Sequence, residues 1–361
     1  MKKLLCIFLS VLLLMMAACT APVAQAQTPL EQAKAYIQEG QFQQAYDLLL
    51  SIDAPGEEEK TLLKGFRFFP EVCDYNGAVV TYTYDDFGNC LSYENIDTLG
   101  NFYFYEYTYD AEGRVLTQTC TSGYDQTTVT GQTETTYTYD EKGNILTEKI
   151  IEEGVSKLRT NTYNEKGQLT YQVYVYTGQQ TTETTYTYDA RDYLILEESN
   201  TIKMDNSTSW SKVEYTYDDT SDENRRVHTK RETNSEGNER TWTYVYDAAG
   251  LLLEQRDQTL GGVWGKEEYT YDPWGNQLTY KQSSGDYEGS EAKNWHQQSY
   301  TYDESHKVIM ETTVNHKAEG QVINYIYDDF GNCIKKEWTV NGDLVAQTFT
   351  YILLYHPNFA K

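Results

Sequence analysis

Hydrophobic and polar residues follow different periods along the chain. Residues 4–16 are almost wholly apolar and come directly after Lys2 and Lys3. A run this short cannot span a bilayer stably as a helix, and it matches the core of a signal peptide. Leu30, Ala33 and Ile37, then Phe42, Ala45, Leu48 and Leu49, fall at helical spacing with Gly40 between the two runs. That predicts two short helices, with a helix stop at Gly40. Ala54-Pro55-Gly56 ends the pair, and residues 57–66 are a candidate third helix. From Tyr82 onward the period drops to two, as in strands.

One unit carries that second period: Tyr-Thr-Tyr-Asp, two variable residues, Gly-Asn, one residue, then Leu or Ile. It reads YTYDDFGNCL at 82–91, YTYDEKGNIL at 137–146 and YIYDDFGNCI at 325–334. The second Tyr falls at 84, 109, 139, 163, 188, 217, 246, 271, 302, 327 and 351. In each copy both tyrosines face one side of a strand. The Asp can accept amides of the following turn, and the Gly can take positive φ. Each copy is therefore a β-hairpin, and about eleven of them occupy residues 75–358. Residues 28–68 form a small α-helical hairpin, read as a cap on the array.

The repeats resemble the YD repeats of Rhs and teneurin-type proteins, whose pattern is Tyr-x-Tyr-Asp-x-x-Gly-Asn/Arg-Leu. The resemblance covers about residues 82–355. It implies an all-β fold: an elongated or spiralling antiparallel sheet of tandem hairpins, preceded by the helical hairpin. The large toxins of that family close such a sheet around a toxin domain. Here neither the family's core motif nor a toxin domain follows the repeats, so the resemblance implies architecture, or the remnant of a toxin shell. The stretch 40–45 also resembles the turn of a tetratricopeptide hairpin, with Gly40 ending one helix and Ala45 allowing close packing.

Composition agrees with strands. Tyr accounts for 34 of 361 residues and Pro for only 6. Net charge is −26, and it becomes −28 when the two charges of Lys2 and Lys3 leave with the signal. That balance argues against nucleic acid and anionic lipid as partners. Ala17-Ala18-Cys19 after the apolar run resembles a lipobox. It implies a signal peptide at 1–18, lipidation of Cys19, a tether at 19–27, and a lipid-anchored extracytoplasmic protein. The alternative is an ordinary secreted protein cut near Gln27. Cys73, Cys90, Cys120 and Cys333 are too few for a disulfide framework, and Cys90 and Cys333, in distant repeats, are expected to sit far apart.

No metal, cofactor or catalytic motif is legible. The aspartate repeated from Asp85 to Asp328 reads as a turn cap, since Asn164 replaces it in one copy. The expectation is a non-catalytic surface protein for binding or adhesion, taking a glycan or protein ligand. The alternative is a structural envelope or spacer protein. Aromatic residues before the turn Gly are the candidate ligand contacts: Phe87, Trp274 and Phe330. Packing demands least there, and aromatic faces stack on sugars. The spacer reading predicts that these three are buried. The inserts near 198–212 and 281–297 are further places where the copies differ.

Overall fold

The computed structural model describes residues 27–218, 225–317, 319–340 and 343–355. The signal segment 1–18, Cys19 and all of the tether but Gln27 lie outside those residues. Two compact units are present: residues 1–69 with 86–88 and 352–361, and residues 70–85 with 89–351.

The first unit holds three helices, α1 (Pro29–Gln38), α2 (Phe42–Leu50) and α3 (Glu57–Lys64). A capping box starts α1: Thr28 Oγ1 accepts the Glu31 N–H at 3.2 Å, and the Glu31 carboxylate accepts the Thr28 N–H at 2.9 Å. Gly40, at φ +72°, lets the chain reverse into α2. Ala33, Ala45 and Leu49 are buried together with Phe66 and Leu353.

After the helices every regular element is a strand, from β1 (Phe66–Tyr75) and β2 (Ala78–Tyr84) to β22 (Asp343–Tyr355). All 22 strands belong to one sheet, in which each pairs with its chain neighbours. β1 also pairs with β22. Along that seam Tyr75 bonds Gln347, and Tyr351 lies beside Cys73. The fold is therefore a closed 22-strand barrel, which corrects the expected elongated or spiralling sheet. The correction has a physical cause in β1. Its sequence, FRFFPEVCDY, lacks the repeat pattern, yet its Pro70 carbonyl accepts the Tyr84 hydroxyl at 2.7 Å. β1 thus supplies the surface that every later copy finds in its predecessor. An even number of strands lets the first and last zip together and removes both edges. Tyr351 lies beside both Cys333 and Cys73, and Cys73, Cys90 and Cys333 are free thiols.

The turn explains the Asp-x-x-Gly-Asn signature. In the copy at 137–146, Asp140 Oδ1 accepts the N–H groups of Lys142 (2.9 Å) and Asn144 (2.8 Å). Its Oδ2 accepts the Asn144 side-chain amide at 2.8 Å. Gly143 sits at φ +88° and donates to the Asp140 carbonyl at 3.1 Å. In the copy where Asn164 replaces Asp, Gln168 replaces Asn, and the side-chain bond reverses: Asn164 Nδ2 donates to Gln168 Oε1 at 2.7 Å.

Each turn is followed by a one-residue register shift, as between Thr138 and Tyr139, where Tyr139 faces Ile145. Such a bulge disrupts the ladder locally. The second tyrosine of the next copy donates its hydroxyl to the carbonyl at that point. Tyr109 reaches Cys90 (2.6 Å), Tyr139 reaches Val115 (2.7 Å) and Tyr327 reaches Val308 (2.7 Å). The repeat spacing and the bulge are thus one device, stapling each hairpin to the one before it.

The sheet has a Tyr face and a Thr face. Thr residues pair across strands on the second, as in Thr108 with Thr117 and Thr138 with Thr147, at 2.6 and 2.7 Å. Such pairs contribute about 0.2–1 kcal/mol each. Charges stand in mid-strand on both faces. Glu134 and Lys149 lie in register with the Thr residues, and Glu148 and Arg159 with the Tyr residues. Among the described residues of the second unit, the buried apolar side chains are Cys73, Val80 and Phe102. Hydrogen bonds and cross-strand pairs, rather than a continuous core, hold this sheet.

Close packing recurs at Gly123, where β5 (Val115–Tyr124) shifts register against β6 (Thr128–Tyr139). A Cβ there would overlap the Thr128 carbonyl oxygen and lie 2.6 Å from Phe102 Cε1. Gly123→Ala should lower stability by about 1–3 kcal/mol. The expected readout is a lower denaturant midpoint with unchanged slope. An unchanged midpoint would contradict this geometry.

Candidate functional site

In the Tyr-Asp turns, the residue before the Gly joins the shared turn network through its backbone N–H. The N–H groups of Glu112, Lys142, Lys166, Arg191, Trp274 and Phe330 each donate to the turn's Asp or Asn side chain at 2.9–3.0 Å. The side chain there is free to vary, and in most copies it is charged or small. Where it is aromatic, the turn itself does not require it.

Trp274 stands between β16 (Trp264–Tyr271) and β17 (Gln277–Gly285) and is 74% exposed. Its neighbour is His306, in the following turn between β18 (Asn294–Tyr302) and β19 (Val308–Asn315). The two rings lie 5.1 Å apart at 55°. His306 occupies the position that is Gly in most copies and takes its φ of +62°. The Asn276 amide nitrogen lies 3.0 Å from His306 Nδ1, donating to it. The same Asn276 is fixed by Asp272, whose oxygens accept its N–H and its side-chain amide, each at 2.8 Å. Burial opposes the charge on Asp272, but these bonds, with the Trp274 N–H, hold its carboxyl below the usual carboxylate range. A cross-turn network thus orients the Trp274–His306 pair.

Phe330 lies one Tyr-Asp turn further on, between β20 (Gly320–Tyr327) and β21 (Cys333–Val340), and is 43% exposed. Trp274, His306 and Phe330 therefore follow one another on successive turns of the second unit. Phe87 is also exposed but belongs with residues 86–88 of the first unit. Sequence reasoning missed His306. Its signal was a ring-bearing residue at a glycine position, in YTYDESHKVI. Among the described residues no three His, Cys, Asp or Glu side chains converge as a metal would require.

No protein-family model matches the sequence, and no curated protein does either. With the sheet closed through β1 and β22, this corrects the expected membership of the YD-repeat or Rhs family, and the tetratricopeptide likeness finds no family support. The Tyr-Asp repeat is a property of this chain's sequence and hairpins only. Two solved structures are similar in part. A porin-like protein from Bacteroides uniformis is 12% identical at a TM-score of 0.30, over 72% of this chain and 96% of that one. A porin-like protein from Bacteroides vulgatus is 11% identical at a TM-score of 0.20, over 79% of this chain and 99% of that one. Likeness at these scores does not assign a family or a role.

Proposed function

We propose that this chain is a non-catalytic, extracytoplasmic binding module that engages a glycan or a surface protein through turn aromatics. The observation that carries the reading is the exposure of Trp274, Phe330 and Phe87, at positions where the hairpin requires no aromatic group. A spacer would bury such side chains. Leaving Trp274 74% exposed gives up about 1.5–3 kcal/mol of apolar burial, which a ligand would recover. The N-terminal signal and Cys19 pattern support a lipid-tethered position outside the cytoplasm, and the net charge of −26 disfavours nucleic acid.

In this reading the strands work in water and the lipid alone meets the membrane. Charges such as Lys149 and Glu148 stand in mid-strand on opposite faces. On a lipid-facing surface a Lys or Arg costs about 2–4 kcal/mol at the bilayer midplane. A Cys19→Ala chain lacking its signal should therefore fold without detergent and partition into the aqueous phase of a detergent phase separation. Recovery only in the detergent phase would overturn this placement.

The ligand-binding reading is tested on a glycan array and on intact cells with residues 28–361. Saturable binding that drops about tenfold in Trp274→Ala supports it, as loss of a stacked aromatic costs roughly 1–3 kcal/mol. Absence of binding on both surfaces, or binding indifferent to both Trp274→Ala and Phe330→Ala, would reject it in favour of a spacer.

A further inference from the structure

The Tyr face carries a second feature, toward the opposite ends of the strands from the Trp274 turn. A concavity of about 640 Å³ crosses β14 (Glu239–Tyr246) to β19. A volume of this size holds a small organic ligand. Gln282 and Ser284 of β17 stand directly opposite His296 and Asn294 of β18.

Nearby on this face several polar groups satisfy one another. Glu267 accepts the hydroxyls of Tyr269 (2.7 Å) and Tyr280 (3.2 Å). Glu311 accepts the Tyr325 hydroxyl (2.8 Å) and the Gln298 amide (3.2 Å). The charged groups bordering the concavity are likewise matched, since Arg240 Nε and Nη2 bond Asp257 Oδ2 at 3.0 and 2.9 Å. The side chains of Gln282, Ser284, Asn294 and His296 form a contrasting group: none makes a hydrogen bond within the protein, although all four line one recess. Trp264 and Trp295 border it in sequence, but they stand opposite Gly285 and Ser283, in register with the Thr face.

We infer that this recess is a binding site for a neutral, polyhydroxylated ligand of the oligosaccharide class. Two amides, a hydroxyl and an imidazole offer mixed donors and acceptors, which suit hydroxyl groups that are both. The Arg240–Asp257 pair is already neutralised, so neither an anion nor a cation gains a free counter-charge there. The inference does not depend on the turn aromatics, which lie at other positions of the strands.

The test titrates the folded chain with maltohexaose, cellohexaose, xylohexaose and mannohexaose, and with hexagalacturonate as an acidic comparison, using calorimetry and ligand-observed NMR. Saturable binding of at least one neutral hexasaccharide is expected. Gln282→Ala with His296→Ala should weaken it about tenfold or more, the loss of one or two hydrogen bonds. Trp274→Ala should leave it unchanged, and this separates the site from the turn aromatics. Far-UV circular dichroism and melting of the double variant show that it folds. The inference is overturned if no neutral hexasaccharide binds up to about 10 mM, a near-absence of affinity. It is overturned equally if the folded double variant binds like the parent, or if only the acidic sugar binds.

Discussion

Raising the pH should unfold this protein in one steep transition between about pH 10 and pH 12, before its tyrosines ionise freely. Burial, followed by neighbouring ionisable groups, pushes Tyr107 and Tyr280 up to about 12. The same causes push up Tyr84, and burial followed by a hydrogen bond to a glutamate pushes up Tyr215, Tyr269 and Tyr325. The stapling tyrosines Tyr109, Tyr139 and Tyr327 are raised too, first by burial. An unfolded tyrosine loses its proton near pH 10. Above that pH the unfolded chain holds fewer protons than the folded one, so stability falls as pH rises. The stabilisation is complete below about pH 10 and is lost as pH climbs through the raised folded values. Ionisation also removes the donor from each bond between a tyrosine hydroxyl and the preceding copy's carbonyl, so one broken staple loosens the next hairpin. Tyrosinate absorbance and far-UV circular dichroism followed together should change at the same pH. Gradual ionisation centred near pH 10, with the strand signal intact, would contradict the staple.

A second large effect is expected in the helical unit. Leu49 is 1% exposed, the only large side chain so completely buried among the described residues, and it packs in the cluster of Ala33, Ala45, Phe66 and Leu353. Leu49→Ala should cost about 2–5 kcal/mol. Leu116 occupies the recurring Leu position of its repeat copy but is 37% exposed. Leu116→Ala should stay within about 0.5 kcal/mol of the parent, as for an ordinary surface change. Equal losses at both positions, measured by denaturant unfolding, would mean that the hairpins hold a core of their own.

The repeat made most of the sheet legible. Tyr-x-Tyr alternation, Asp before the turn and Gly at positive φ each follow from local chemistry, and the hairpins form where those residues fall. Closure was not legible, because it depends on Phe66–Tyr75, a strand that carries none of the repeat's residues and meets β22 only in three dimensions. The role of the second tyrosine was half legible. Alternation put it on a face, but its hydroxyl partner lies 14–25 residues back, at a place that no pattern of apolar residues reports. The turn aromatics could be read because they break a variable position. His306 was passed over because its neighbours in the site, Trp274 and Asn276, belong to a different copy. The recess at Gln282 and His296 was hidden for the same reason: its residues pair only across β17 and β18.

The central claim is that the sheet closes through β1 and β22. The direct measurement is the distance between nitroxide labels at Tyr75→Cys and Leu344→Cys, in a chain whose other cysteines are serine. Closure places these labels on neighbouring strands, so pulsed electron resonance should give a distribution below about 25 Å, one or two strand spacings plus the label tethers. An unclosed sheet would separate them by 21 spacings, roughly 100 Å at about 4.8 Å each. A distribution lying wholly beyond about 50 Å, many strand spacings, would contradict the closed barrel.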